Sequence, residues 1–164
     1  MKTPLVLTLV FALTFGSLNA QDMDQEVSSV VNRKNSVSLA IDFFLTLSVN
    51  YERVIPLKEN IAMTVKGGLG RDAGNLAYVI TGETALLFGR QKKYFEPGIA
   101  FQYPFLFDVE AGDSPLLAIR AGYRYQTHGG FQFRIYPMLL IETNPPEDSW
   151  GYYPWLGLSL GYSF

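Results

Sequence analysis

The last ten residues, Trp155-Leu-Gly-Leu-Ser-Leu-Gly-Tyr-Ser-Phe164, decide the fold. Leu156, Leu158, Leu160, Tyr162 and Phe164 fall on one parity; Gly157, Ser159, Gly161 and Ser163 fall on the other. Strict alternation of this length is the period of a β-strand, and a helix does not produce it. The same alternation recurs upstream. Phe131, Phe133, Ile135, Pro137, Leu139 and Ile141 oppose Gln132, Arg134, Tyr136, Met138, Leu140 and Glu142. Leu117 to Tyr125 oppose Ala118, Arg120, Gly122, Arg124 and Gln126, and Phe95 to Tyr103 oppose Glu96, Gly98, Ala100 and Gln102. Less regular segments follow around Tyr78–Phe88, Ile61–Leu69 and Leu47–Ile55, and a first strand around Ser36–Asp42 brings the expected number to eight.

The two faces differ in kind. One carries Phe, Leu, Ile, Val and Tyr with almost no charge; the other mixes Gly, Ser and Ala with single charged residues. A soluble barrel hides its large aliphatics and exposes its charges, whereas a lipid-facing wall needs the apolar set outside. Segments of about 9–11 residues also suit strands that cross a bilayer at a tilt. The expected fold is therefore all-β: an eight-stranded antiparallel up-and-down transmembrane β-barrel. Pro97 and Pro137 lie on the apolar face, where each removes a ladder hydrogen bond.

Connection lengths point the same way. With the N-terminus in the periplasm, the external connections fall near Phe43–Leu45, Gly70–Asn75, Pro104–Pro115 and Thr143–Pro154. The periplasmic ones fall near Pro56–Asn60, Gly89–Lys92 and Thr127–Gly130. Long external loops and short periplasmic turns are the rule for outer-membrane barrels. At Phe43-Phe44 one strand ends and the next begins with almost no turn-forming residues. Phe88, Phe95, Phe131, Phe133, Tyr123, Tyr125, Tyr162 and Phe164 are expected to form a periplasmic aromatic girdle, and Tyr78, Phe101, Tyr103 and Trp155 an external one.

The amino end reads as an address. Lys2, the apolar run Leu5–Phe15, and small residues up to Ala20 have the order of a cleaved secretory signal over residues 1–20. The run falls short of the roughly 20 apolar residues that a spanning helix needs. Residues 21–35 form a polar lead-in, and 36–164 the barrel.

Composition excludes other classes. The chain of 164 residues has no cysteine, one histidine and a net charge of −2, so thiol chemistry, disulfides and a basic nucleic-acid footprint are out. Its 12 Phe, 10 Tyr and 2 Trp exceed what one small core would hold, and suit an outward wall.

Taken together, Ser48–Arg53 (Ser-Val-Asn-Tyr-Glu-Arg), Lys92–Gly98, Gly122–Gln126 and the carboxyl end Gly157–Phe164 resemble the small eight-stranded outer-membrane barrels of Gram-negative bacteria. The transmembrane domain of outer-membrane protein A belongs to that group. The resemblance implies an integral outer-membrane location and a surrounding of outer-membrane lipid. It also implies that Tyr162 and Phe164 act as a carboxyl-terminal signal to the barrel-assembly machinery.

The expected interior holds Glu52, Glu83, Glu96 and Glu142 against Lys66, Arg120, Arg124 and Arg134. Eight strands leave room for side chains and little else, so these charges are expected to pair as a plug. The first functional reading is an integral wall protein acting structurally, or through external loops on a ligand or partner, as a monomer. A small passive or gated pore is the alternative, its charge ring selecting ions. A lipid-modifying enzyme comes third: His128 is the one candidate base, and it falls in a Thr-His-Gly-Gly turn away from any evident nucleophile. No cofactor or metal is expected. The loop carboxylates Asp108, Glu110, Asp113, Glu147 and Asp148 lack a calcium-loop spacing. Trp150, Tyr152, Tyr153 and Trp155 suit the external girdle better than a sugar platform.

Overall fold

A computed structural model describes residues 33–73, 77–90, 92–105, 115–143 and 151–164. They form eight strands: β1 (Asn35–Asp42), β2 (Thr46–Lys58), β3 (Ile61–Arg71), β4 (Tyr78–Arg90), β5 (Lys93–Pro104), β6 (Leu116–Gln126), β7 (Phe131–Glu142) and β8 (Tyr152–Ser163). Each pairs antiparallel with its neighbours in chain order, and β8 closes on β1 through Ser36–Ser163 to Ile41–Leu158. The fold is thus the closed up-and-down barrel expected from the alternation. The signal segment, most of the lead-in, the five loop carboxylates and Trp150 lie outside the described residues.

Burial follows parity along every strand. In β1, and in β2 as far as Val54, it alternates residue by residue, with Ser36, Ser38, Ala40, Ser48, Asn50 and Glu52 inside and Val37, Leu39, Leu47 and Val49 outside. Leu39 is 56% exposed while Glu52 is 0% exposed, the reverse of a soluble core. Small inward residues let the sheet curl tightly. Gly157 does this most visibly, because the Tyr136 ring occupies the place where its Cβ would stand.

Both prolines sit where a ladder is interrupted. The β4–β5 register stops at Ala85–Gly98 and resumes at Phe88–Phe95, leaving out Pro97; the β6–β7 register passes from Arg120–Met138 to Tyr123–Ile135, leaving out Pro137. Each keeps its partner on its other side, Ala121 for Pro97 and Leu156 for Pro137. The missing N–H groups are thereby absorbed locally.

Two boundaries differ from the expectation. β2 runs on through Pro56 to Lys58 by a bulge between those residues, because a bulge lets a proline stand in a ladder without donating. β8 begins at Tyr152, so Tyr152, Tyr153 and Pro154 belong to the wall, paired with Ile141, Leu140 and Leu139.

The β1–β2 connection is a turn of three residues, Phe43, Phe44 and Leu45, with φ of 35°, 58° and 72°. Left-handed backbone costs a non-glycine residue about 1–2 kcal/mol. What holds it is packing: Phe43 turns inward and is buried against Ala100, Ala118, Tyr136, Met138 and Leu140, while Phe44 packs on that cluster from the mouth. Thr46 Oγ1 also donates to the Phe43 carbonyl at 3.0 Å. Leu45 makes no such contribution and is 56% exposed. Leu45→Gly is therefore expected to raise stability by up to about 1 kcal/mol, the relieved strain exceeding the added chain entropy. A urea titration of the folded band on a gel would show it.

Candidate functional site: the lumen charge network

Period-two alternation puts Glu52 on β2, Lys66 on β3, Glu83 on β4, Glu96 on β5, Arg120 and Arg124 on β6, and Arg134 on β7 into one interior. Lys66 Nζ lies 2.5 Å from Glu83 Oε2, and Arg120 bridges Glu83 and Glu96. Glu96 meets Arg124 at 3.8 Å and Arg134 at 3.6 Å. Glu52 accepts from Arg134 Nη2 at 2.6 Å, from Arg124, and from Ser36 Oγ at 3.2 Å. These side chains are 0–4% exposed. The chain of contacts runs unbroken across the barrel from Lys66 to Glu52.

Register explains the ordering. Arg124 and Arg134 are direct cross-strand neighbours, which would repel if left alone. Glu52 and Glu96 reach them from β2 and β5 and cancel that repulsion. Gln132 supports the pair by accepting from Arg134 Nη2 at 2.9 Å.

Glu142, the eighth charge expected here, has the right parity but stands half-exposed at the end of β7, and no ion pair involves it among the described residues. Asp42 at the end of β1 supplies the fourth buried carboxyl instead. It accepts from Tyr136 Oη at 3.1 Å. Tyr136 in turn lies beneath two cations, with Arg120 Cζ 4.5 Å and Lys66 Nζ 5.7 Å from its ring centre. Neither residue drew notice in the sequence, although both share the inward parity.

Apolar layers flank the network. Val54, Ala62, Leu87 and Tyr94 pack at the short-turn end, and the Phe43 cluster packs at the other. Trp155 belongs to this second layer rather than to the girdle. It shares the inward parity of Gly157 and Ser159, and Phe44 packs against it and Tyr153 with ring centres 5.4 and 5.5 Å apart. Tyr152, of opposite parity, faces outward. The remaining described girdle residues Tyr78, Phe101, Tyr103, Phe88, Phe95, Tyr123, Phe131, Tyr162 and Phe164 are exposed on the outer wall, and Phe133 and Tyr125 are half-exposed.

His128 is exposed in the Thr127–Gly130 turn, with no hydroxyl or carboxylate partner among the described residues. No group of three or more His, Asp or Glu side chains able to hold a metal occurs among the described residues. No helix among them is long and apolar enough to cross a membrane, which says nothing about strands.

No family model matches the chain, and neither does any curated protein. Solved structures do. The Yersinia pestis outer membrane protein Ail, in a phospholipid bilayer nanodisc, aligns over 81% of this chain and 100% of its own at 11% identity and a TM-score of 0.46. The N-terminal β-barrel domain of Pseudomonas aeruginosa OprF aligns over 80% of this chain and 96% of its own at 15% identity and a TM-score of 0.50. At that identity the likeness to the OprF domain is one of architecture, and this chain has an eight-stranded barrel fold like that domain's.

Proposed function

We propose that the chain is an integral outer-membrane protein whose barrel is closed by its own side chains, and that it acts as a structural element or through its external connections. The observation that carries this reading is the unbroken ion network, no side chain of which is more than 4% exposed, held between two apolar layers. A conducting lumen needs hydrated charges that ions can approach, and here every charge is committed to another. The outward apolar wall with aromatics at both ends supports a bilayer setting. So does the carboxyl end: the Phe164 ring is exposed while its backbone bonds to Asn35 in both directions, at 2.8 and 3.1 Å. That leaves the ring free for recognition by assembly machinery. We assign no catalysis to His128, whose exposed turn position supports a solvated role.

Planar-bilayer recording of the refolded protein tests the closed lumen. The expected trace is flat, without unitary steps. Regular single-channel openings that change ion selectivity in Arg120→Gln would replace the plug with a pore. The membrane setting is tested on the same preparation, since a barrel of this kind migrates differently on a gel before and after boiling.

A further inference from the structure

Among the described residues, the charges outside the lumen are segregated by end. At the end bearing the short turns stand Lys34, Arg53, Lys58, Arg90, Lys92 and Lys93, with Glu59 the acid among them. At the other end the described charges outside the lumen are Arg71, Asp72 and Glu142. Arg90 Nε donates to Asn60 Oδ1 at 2.6 Å, tying the β4–β5 hairpin to the β2–β3 hairpin beside Lys58.

A second observation is independent of this tally. Arg90 and Lys93 are direct cross-strand partners, with Lys92 between them in the same hairpin. Like charges placed opposite each other destabilise a sheet. The lumen holds the same arrangement in Arg124 and Arg134, and there two carboxylates answer it. At the rim no described acid forms an ion pair with any of these bases. No described carboxylate answers this exposed pair, which leaves it open to an anion from the surroundings. Its depth is set by the strand: the outward pair Phe88–Phe95 lies two residues away, about 7 Å along the wall. The bases therefore stand just beyond the aromatic girdle, at the level of lipid phosphates.

We propose that the Arg90–Lys93 hairpin, together with Lys58, Arg53 and Lys34, is a docking rim for anionic phospholipid headgroups of the leaflet at the short-turn end. This rests on the membrane reading above. A zwitterionic headgroup brings its own cation and relieves the opposed pair poorly; a headgroup with net negative charge relieves it fully.

The test is a urea titration of the folded, heat-shifted form in vesicles of phosphatidylcholine alone and of phosphatidylcholine mixed with phosphatidylglycerol. The wild type and Arg90→Gln/Lys93→Gln are compared. In phosphatidylcholine the variant is expected to be at least as resistant as the wild type, since repulsion is gone. With phosphatidylglycerol the wild-type midpoint is expected to rise by about 1 M, and the variant to lose most of that increment. Added salt should erase the wild-type gain. An equal increment in both proteins, or none in the wild type, overturns the docking rim. Inorganic phosphate that reproduces the gain in phosphatidylcholine overturns the lipid as its source. Should the double variant not fold, Lys92→Gln carries the test, and an unchanged increment there refutes the idea. A chain that never gains the heat-shifted form in any vesicle removes the membrane reading and this proposal together. A chain that gains it but ignores phosphatidylglycerol removes only the rim.

Discussion

Glu52→Gln is expected to lower the unfolding free energy by about 3–5 kcal/mol, the cost of removing one partner from a buried ion pair. The reason lies in the register. Arg124 and Arg134 face each other across β6 and β7, and Glu52 accepts from both. The amide keeps the shape and removes the charge, so two guanidinium groups are left with Glu96 alone, at 3.8 and 3.6 Å. A urea titration of the folded gel band measures the loss. The double variant Glu52→Gln/Arg134→Gln removes one charge of each sign and should recover about 1–3 kcal/mol of it. If the single change were silent, or the second loss simply added to the first, the network would not be the paired structure described above.

Tyr136→Ala should cost a similar amount, about 3–5 kcal/mol, by emptying the centre of the lumen. The ring is 1% exposed and fills the space over Gly157. It is the surface on which Arg120 and Lys66 lie, and its hydroxyl is the donor to Asp42. Tyr136→Phe keeps the ring and loses the hydrogen bond alone, for which about 1.5–3 kcal/mol is expected if Asp42 is ionised. The order of the two variants is the informative result. An alanine variant as stable as the phenylalanine one would mean that packing at this position contributes nothing.

The strand period accounts for what could be read from the chain. Side chains alternate with a period of two, so the face of Glu52, Lys66, Glu83, Glu96, Arg120, Arg124 and Arg134 followed from parity alone. Height along the barrel did not, because register across strands is set by turns and bulges. That is why Glu142, correct in face, stands at the rim, while Asp42, taken as a strand boundary, lies buried. Trp155 shows the opposite difficulty: its parity pointed inward, but its residue type suggested a girdle. Nothing in Phe43-Phe44-Leu45 announces three left-handed residues, since that conformation is imposed by where the Phe43 ring must go.

The seam between β8 and β1 has a kinetic side. It is the shortest ladder of the barrel, running only from Ser36–Ser163 to Ile41–Leu158, and it joins the two ends of the described chain. Closing so long a loop is the slowest of the pairings by chain entropy. Glu52 also meets its two arginines only once β2 and β6–β7 face each other across a curled sheet. Seam closure and the drying of the charged interior are therefore expected to fall together, late in assembly, and the seam is where the wall is expected to part first.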